Sequence, residues 1–474
     1  MAGTGSTRAT IHAQPGGETI TARLRAVLNL VNLGALMHTP DPYLVGHGDT
    51  RYRVTHYDLE LQYRVSTNRL DERALLHVVI AEPTTRIDVD LRGLHVGKVL
   101  VDGVVAKHRA KNTGVSVEVG PRSIGDTFVV EMRVSGKPKP VPGIHGEAGW
   151  EELTDGSMVG AQPQGAPSWF PCNNDAANKA TYRIQVTTAS EYHVVANGTL
   201  VERARVGNAT RWVYEMKWPM SPYLATVQIG RYREELRAAT VPVSIVCPPR
   251  AQVGAGTAFE HQAEMVNFFS KLYGPYPFAE YRAVIADDVL EIPLEAQGLS
   301  SFGSNFIPLT WNNERLVAHE LAHQWFGNCV TGKQLRDIWL HEGFACYSEW
   351  LWSEHKRNWC DSPTTQERAA QRYESLDPMP AGSTLARPGM KHMFDDWVYK
   401  RGALTLHALR VLIGDTAFFE LLRSWVRQNA DGLVTTEQFM EHCRNFAGIR
   451  SREMDALLDA WLFRAELPPL PVLV

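Results

Sequence analysis

Apolar and polar residues alternate with a period of two along much of the first half of the chain. Tyr57, Leu59 and Leu61 alternate with polar positions, and the phase slips near His56, which predicts a β-bulge there. The same alternation recurs in two later runs: Phe128, Val130, Met132 and Val134, and then Trp212, Tyr214, Met216 and Trp218. Turn-forming stretches such as GKPKPVPG at 136–143 separate the runs. The pattern predicts a β domain over residues 41–247.

The pattern changes to a helical period after residue 247. The apolar positions of the first predicted helix fall on one face, and that helix ends at Gly274: Phe259, Ala263, Val266, Phe269 and Leu272. RLVAHELAHQWFGN at 315–328 predicts a second helix, capped by Asn312 or Asn313 and closed by Gly327. Further helical patterns continue to SREMDALLDAWLFR at 451–464. Residues 248–474 are therefore predicted to form a mostly α domain, and the fold class is α+β with more than one domain.

Composition excludes several classes of protein. The chain has 474 residues, of which 44% are hydrophobic, enough for two or three domains with cores of their own. The net charge of -4 against 48 basic residues gives no field that attracts nucleic acid or an anionic membrane. We expect no nucleic-acid partner and no membrane partner, and the oligomeric state cannot be read from the sequence.

The cysteines and the first 40 residues give information about the cellular location of the protein. The six cysteines lack C-x-x-C spacing, which favours reduced thiols in a cytoplasmic protein over disulfides or a thiolate metal site. Residues 1–40 are predicted to be a poorly ordered leader with one apolar stretch at 26–37. That stretch leaves export and a true start near Met37 open as alternatives to a cytoplasmic arm.

The most specific chemical signal is His319-Glu320-Leu321-Ala322-His323. Residues four apart lie on one helix face, so His319 and His323 can present two imidazole nitrogens to one metal ion. The spacing alone also fits an ordinary amphipathic helix with two satisfied histidines. Glu342 follows His323 after eighteen intervening residues, near the start of another predicted helix, and can supply a third ligand, a carboxylate.

Two histidines and one carboxylate are typical of a catalytic zinc site. Such a set leaves the fourth tetrahedral position open for water, which hydrolysis needs and a closed structural site lacks. Glu320 points to the same side as the two histidines and can accept the proton of that water. The residues therefore predict one catalytic Zn²⁺ per chain, held by His319, His323 and Glu342.

Several segments together resemble the gluzincin metallopeptidases of the aminopeptidase N and leukotriene hydrolase family. The similar segments cover residues 41–470 and occur in the family's order: HYDLELQY, SWFPCNND, VAHELAHQWFGN, LHEGFACYSE and VYKRGALTLHALR. The resemblance implies a saddle-like N-terminal β-sandwich domain followed by a thermolysin-like zinc catalytic domain. It also implies a short form without the family's C-terminal helical domain, and hence a more open cleft.

The resemblance implies roles for individual residues. Tyr399, in VYKRG, matches the family's tyrosine that donates a hydrogen bond to the oxyanion, and Arg401 receives no role. Glu295 falls where the family has Gly-x-Met-Glu-Asn, although this chain keeps only the acid, and it matches the anchor for the substrate's α-ammonium. For the second amine anchor, a gapless count from Cys172 selects Gln162, whereas the local pattern selects Gln164.

The prediction is a zinc aminopeptidase that hydrolyses the first peptide bond of short peptides with a free N-terminus. Two alternatives stay open at this point: an epoxide hydrolase or endopeptidase that uses the same zinc site, and a zinc-bearing scaffold that binds peptides without turnover. Glu320 and Tyr399 argue against the scaffold, because a non-catalytic protein has no physical need to keep both. The side-chain preference at the cleaved residue cannot be read from the sequence.

Overall fold

The computed structural model describes residues 39–471. The predicted leader of residues 1–40, with its apolar stretch, lies outside the described residues except for Thr39 and Pro40. Residues 40–471 form one compact unit in which a β-rich first half leads into a mostly helical second half. The α+β architecture predicted from the change of period is confirmed.

An eight-stranded sheet forms the frame of the first half. Its strands, in spatial order, are Thr199–Val206, Ala209–Met220, Ala180–Ala189, Tyr52–Arg64, Arg69–Ile80, Thr127–Gly136, His95–Val101 and Val104–Val105. The pairing register between Tyr52–Arg64 and Arg69–Ile80 shifts between Val54 and His56, so the predicted bulge is confirmed. Alternate residues of these strands are buried, because one face of the sheet packs on the core and the other faces solvent.

Two smaller sheets complete the β half. One has five strands: His193–Ala196, Val227–Gly230, Gly156–Gly160, Gly146–Leu153 and Val141–Gly143. The other has three: Thr84–Asp90, Gly114–Arg122 and His108–Lys111. All three sheets contribute to one apolar core, in which Trp150 and Trp169 are fully buried and Tyr57 stacks on Tyr182 with ring centroids 4.8 Å apart. The arrangement agrees with the predicted β-sandwich domain.

A further five-stranded sheet spans the predicted domain boundary. Its strands are Arg233–Arg237, Val243–Cys247, Tyr281–Ile285, Leu299–Phe302 and Leu294–Ala296. Val243–Cys247 pairs in parallel with Tyr281–Ile285, so hydrogen bonds of one sheet join residues on both sides of position 247. The division into residues 41–247 and 248–474 stays a prediction, and this sheet continues across it. A two-stranded ladder joins Thr331–Gly332 to Leu433–Val434.

Helices build the second half. In chain order they are α1 Gln262–Tyr273, α2 Trp311–Ala322, α3 Trp339–His355, α4 Thr365–Glu374, α5 Asp396–Ile413, α6 Asp415–Asn429, α7 Thr436–Ala447 and α8 Ser451–Phe463. The predicted end of α1 at Gly274 is confirmed, because Gly274 forms its C-cap. Among the helices of residues 39–471, none is both long enough and apolar enough to cross a bilayer.

The ends of α2 differ from the prediction. Thr310, and neither Asn312 nor Asn313, caps the helix, because the extended backbone of Thr310 lets its side-chain oxygen accept from the Asn313 amide. The helix ends at Ala322, so His323 lies just beyond it in a following turn. Gly327, predicted to close the helix, lies further along with φ of 122°, a conformation that favours glycine.

Candidate active site

His319 of α2, His323 just beyond the end of α2 and Glu342 of α3 meet at one point. All three side chains are buried, and one ligand atom from each lies within 4.8 Å of the other two. Glu342 Oε2 is 3.3 Å from His319 Nε2 and 3.4 Å from His323 Nε2. An ion bound tetrahedrally at about 2.0–2.1 Å separates its ligands by about 3.3–3.4 Å, so these distances fit a zinc ion. His319, His323 and Glu342 therefore come together as predicted.

The outer nitrogens of both imidazoles have their own acceptors. His319 Nδ1 donates to Glu349 Oε1 at 2.8 Å, and His323 Nδ1 donates to the carbonyl oxygen of Phe326 at 3.1 Å. With Nδ1 protonated, the Nε2 lone pair of each ring faces the common point, which is the tautomer that a metal ligand requires. The sequence pattern alone could not fix these tautomers.

A close crossing of two helices brings Tyr399 to the same point. A Cβ on Gly343 would lie only 2.8 Å from the Gly402 Cα, so α3 and α5 touch backbone to backbone. Gly343 directly follows Glu342, and Gly402 lies about one turn after Tyr399. The Tyr399 ring stacks on His319 with centroids 5.9 Å apart. Burial raises the pKa of Tyr399 well above its usual value, so its phenol keeps the proton and remains a donor.

Glu320, Glu295 and Gln162 line the same cavity of ≈ 350 Å³ as the histidines, Glu342 and Tyr399. Glu320 and Glu295 form a second close cluster with His323, again within 4.8 Å. Gln162 Nε2 donates to Glu295 Oε1 at 2.7 Å, which joins the β half to the cavity wall. Burial raises the pKa of both Glu295 and Glu320 above the usual carboxyl value.

Gln164 does not reach this cavity. Its side-chain amide donates to the carbonyl oxygens of Val141 at 3.1 Å and Gly146 at 3.2 Å, and only 6% of the residue is exposed. Of the two glutamines left open by the sequence, Gln162 is therefore the one beside Glu295. Gln164 instead holds the hairpin at 141–146.

The negative charges around the cavity favour the binding of a cation. Glu295, Glu320, Glu342 and Glu349 are all buried within or beside the cavity. Several buried carboxylates repel one another and cost free energy unless positive charge compensates them. A divalent ion held by His319, His323 and Glu342 would supply the missing positive charge.

Comparison with known families agrees with this geometry. The Peptidase family M1 domain matches residues 257–461, and the Peptidase M1 N-terminal domain matches residues 155–224. The chain belongs to the M1 peptidase family. The recognition made from the sequence segments is thereby confirmed, and membership in this family implies a catalytic zinc.

Individual relatives of this M1 chain are aminopeptidases. Glutamyl aminopeptidase of Bos taurus is 26% identical over 330 residues, which are 66% of this chain and 32% of that protein. Leucyl aminopeptidase of Saccharolobus solfataricus is 24% identical over 409 residues, 80% of this chain and 50% of that protein. The M1 chain thus spans half or less of the length of these curated relatives.

Solved structures match it over their whole length. An M1 zinc metallopeptidase from Deinococcus radiodurans superimposes with a TM-score of 0.81 at 27% identity, covering 94% of this chain and 100% of that one. A variant of the Deinococcus protein bound to a Tyr-Ser-Ala substrate gives a TM-score of 0.82 at 28% identity, with the same coverage.

The sequence reasoning missed Glu349 of this M1 chain. Glu349 accepts from His319 at 2.8 Å and from Arg315 Nη1 at 3.1 Å, so it orients one predicted ligand. Burial opposes its charge, but Lys400, His319 and Arg315 outweigh burial and hold its pKa below the usual range. A signal was available, because Glu349 lies seven residues after Glu342, two turns along the same face of α3.

Three other missed residues hold the cavity wall. Gln324 and Asn328 both donate to the Ala296 carbonyl, at 3.0 and 3.1 Å, and so fix the strand that carries Glu295. Lys179, from the β half, donates to the carbonyls of Asn328 and Cys329 and to Thr331 Oγ1.

Arg401, which received no role in the chemistry, binds backbone carbonyls at the end of α8.

Proposed function

We propose that this M1 protein is a zinc aminopeptidase that removes the N-terminal residue of short peptides. The proposal rests on one observation: a single cavity contains two sets of functional side chains. The first set, His319, His323 and Glu342, has the ligand types and spacing of a catalytic zinc site. The second, Glu295 with Gln162, has the charge and hydrogen-bonding groups for an α-ammonium.

The residues divide the chemistry of hydrolysis among them. Zinc held by His319, His323 and Glu342 would supply a Lewis acid that polarises the scissile carbonyl and makes water easier to deprotonate. Glu320 lines the cavity beside His323 and accepts the proton of the attacking water. Tyr399 donates a hydrogen bond to the oxyanion of the tetrahedral intermediate. Glu320 then returns the proton to the leaving amine.

The amine anchor restricts where the chain is cut. A free α-amine has a pKa of about 7.7–8.0, so most substrate molecules carry a positive charge at neutral pH. Glu295 is buried with a raised pKa, and an incoming ammonium stabilises its ionised form. Because the distance from Glu295 to the metal ligands is fixed, only the first peptide bond reaches Glu320.

Loss of one ligand is expected to release the metal. Wild-type protein should hold about one equivalent of zinc, and His323→Ala well below that, because one of three protein ligands is gone. Metal analysis after dialysis measures this, and a panel of aminoacyl fluorogenic substrates with and without chelator tests the activity itself. His355→Ala, at the end of the helix that carries Glu342, is the matched control and should keep its zinc. Full zinc retention in His323→Ala would contradict the ligand assignment.

Removal of one hydroxyl tests the oxyanion donor. Tyr399→Phe keeps the ring that stacks on His319 but loses the phenol hydrogen bond. We expect kcat to fall by about 10²–10³ with little change in KM, because that hydrogen bond forms only as charge develops. Steady-state kinetics on an aminoacyl anilide provides the measurement. A variant within threefold of wild type would place the oxyanion donor elsewhere.

We also propose a cytoplasmic location. The support is that all six cysteines are free and that five of them are buried. Reduced thiols without a disulfide framework are the usual state in the cytoplasm.

A further inference from the structure

The loop just before the amine anchor places two exposed side chains on the cavity wall, Glu291 and Ile292. Both line the cavity together with Glu295. Glu291 is exposed, and its carboxylate has no hydrogen bond and no ion pair within residues 39–471. Ile292 is apolar and yet 59% exposed. The proposed hydrolysis uses neither side chain, so an acid and an apolar surface lie side by side on this wall without a partner in the described chain.

Contacts on both sides of this pair hold its backbone in place. Before the pair, Leu290 exchanges two hydrogen bonds with the Asn305 side chain, at 3.1 and 3.0 Å. After it, Leu294–Ala296 forms an edge strand of the five-stranded sheet. Glu291 and Ile292 therefore stand on a wall that is already formed, and a ligand that contacts them does not first have to order the loop.

Glu291 differs from the other charged side chains of the cavity that the proposed chemistry does not use. Arg315 is 22% exposed and pairs with the buried Glu349 at 3.1 Å. Asp396 is 76% exposed and lies 3.8 Å from the Lys400 ammonium. Among the described residues that line the cavity, Glu291 is thus the one carboxylate that is exposed and has no cationic side chain beside it.

The position of Glu291 along the wall indicates which part of a peptide it contacts. Glu295 is 8% exposed, so a first residue held by it lies in the buried part of the cavity, beside His323. The second residue is the first to reach the exposed part of the wall. Glu291 precedes Glu295 by four positions, so their Cα atoms are at most about 14 Å apart. The second residue of a peptide begins about 3.8 Å beyond the first, and a long side chain covers much of the remaining distance.

We propose that Glu291 and Ile292 select peptides with lysine or arginine at the second residue. These two side chains combine an apolar stem with a cationic head, which is the complement of an apolar surface beside an acid. The stem covers Ile292 and removes its exposed surface from water, and the head pairs with the Glu291 carboxylate. The inference rests on the proposed aminopeptidase function and names a preferred class of its substrates.

A cationic side chain can also occur at the first residue of a peptide. We commit to the second residue, because the first is held at the buried end of the wall and Glu291 lies at the exposed end. The substrate set therefore contains Leu-Lys-Ala, Leu-Met-Ala and Leu-Glu-Ala, together with Lys-Leu-Ala and Met-Leu-Ala. Methionine provides an apolar stem without the charge.

The test compares kcat/KM for these peptides in the zinc-loaded protein. At low salt, wild type should prefer Leu-Lys-Ala to Leu-Met-Ala by about threefold to fivefold, the usual effect of an ion pair at an exposed site. Leu-Glu-Ala should be cleaved more slowly than Leu-Met-Ala. In about 1 M salt the preference for lysine should fall toward unity, because the Debye length shrinks to about 3 Å.

Three variants assign the preference to individual side chains. Glu291→Gln should abolish the preference for lysine, and Glu291→Lys should reverse it in favour of Leu-Glu-Ala. Ile292→Ser should lower kcat/KM for Leu-Lys-Ala and Leu-Met-Ala alike, by about threefold, because both stems lose the same apolar contact. Asp396→Asn removes the other exposed carboxylate of the cavity, and as the matched control it should keep the wild-type preference.

The outcomes separate this inference from the proposed function. Equal cleavage of Leu-Lys-Ala and Leu-Met-Ala by an active wild type overturns the inference and leaves the aminopeptidase intact. A preference for lysine at the first residue alone overturns the assignment to the second residue. A preference lost in Asp396→Asn but kept in Glu291→Gln overturns the role of Glu291. Failure to cleave any peptide with a free N-terminus overturns the proposed function itself.

Discussion

Glu320→Gln is expected to keep its zinc and to lose turnover by a factor of about 10²–10⁴. The substitution preserves the size and polarity of the side chain but removes its ability to accept a proton. Glu320 is not among the three proposed ligands, and its carboxylate clusters with His323 and Glu295 on the cavity side. Metal content by elemental analysis and kcat on an aminoacyl substrate provide the two readouts.

A matched control is available on the same helix. Glu314 is also buried in α2, where it accepts from Trp352 Nε1 at 3.0 Å and pairs with Lys356, outside the cavity. Glu314→Gln is expected to change stability more than kcat, because it weakens a buried ion pair without touching the reacting groups. If Glu320→Gln stays within threefold of wild type, the proton acceptor is another group.

Acetylated substrates are expected to be cleaved more than about 100-fold more slowly than the same substrates with a free amine. Acetylation removes the charge that pairs with Glu295 and leaves this buried carboxylate facing a neutral amide. Leaving a buried charge without its partner costs about 3 kcal/mol or more, which corresponds to the stated factor. Equal cleavage of both forms by wild type would refute the aminopeptidase and favour an endopeptidase.

Three variants test which residue anchors the substrate's α-ammonium. Glu295→Ala should lose most activity on free amines and little on acetylated substrates, so the two rates converge. Gln162→Ala should show a smaller loss of discrimination, because Gln162 supports Glu295 through one hydrogen bond of 2.7 Å. Glu291→Ala removes a different, exposed carboxylate from the same cavity wall and should keep the discrimination. A loss of discrimination in Gln162→Ala alone would move the anchor to the β half.

The sequence by itself determined the helices and strands, and it indicated which kinds of side chain form the candidate site. A period of two predicts strands and a period near four predicts helices, because side-chain burial follows the geometry of each element. For that reason the bulge beside His56 and the end of α1 at Gly274 were predictable. The spacing of His319 and His323 predicted two metal ligands for the same local reason, whereas the third predicted ligand, Glu342, lies on a different helix.

Only the tertiary structure decided which distant residues share the cavity. Gln162 and Gln164 lie two positions apart, and the chain's path into the cavity, rather than any local pattern, separates their roles. The contact of Gly343 with Gly402 sets Tyr399 beside His319. These features depend on contacts between elements far apart in sequence, and local periodicity carries no information about such contacts.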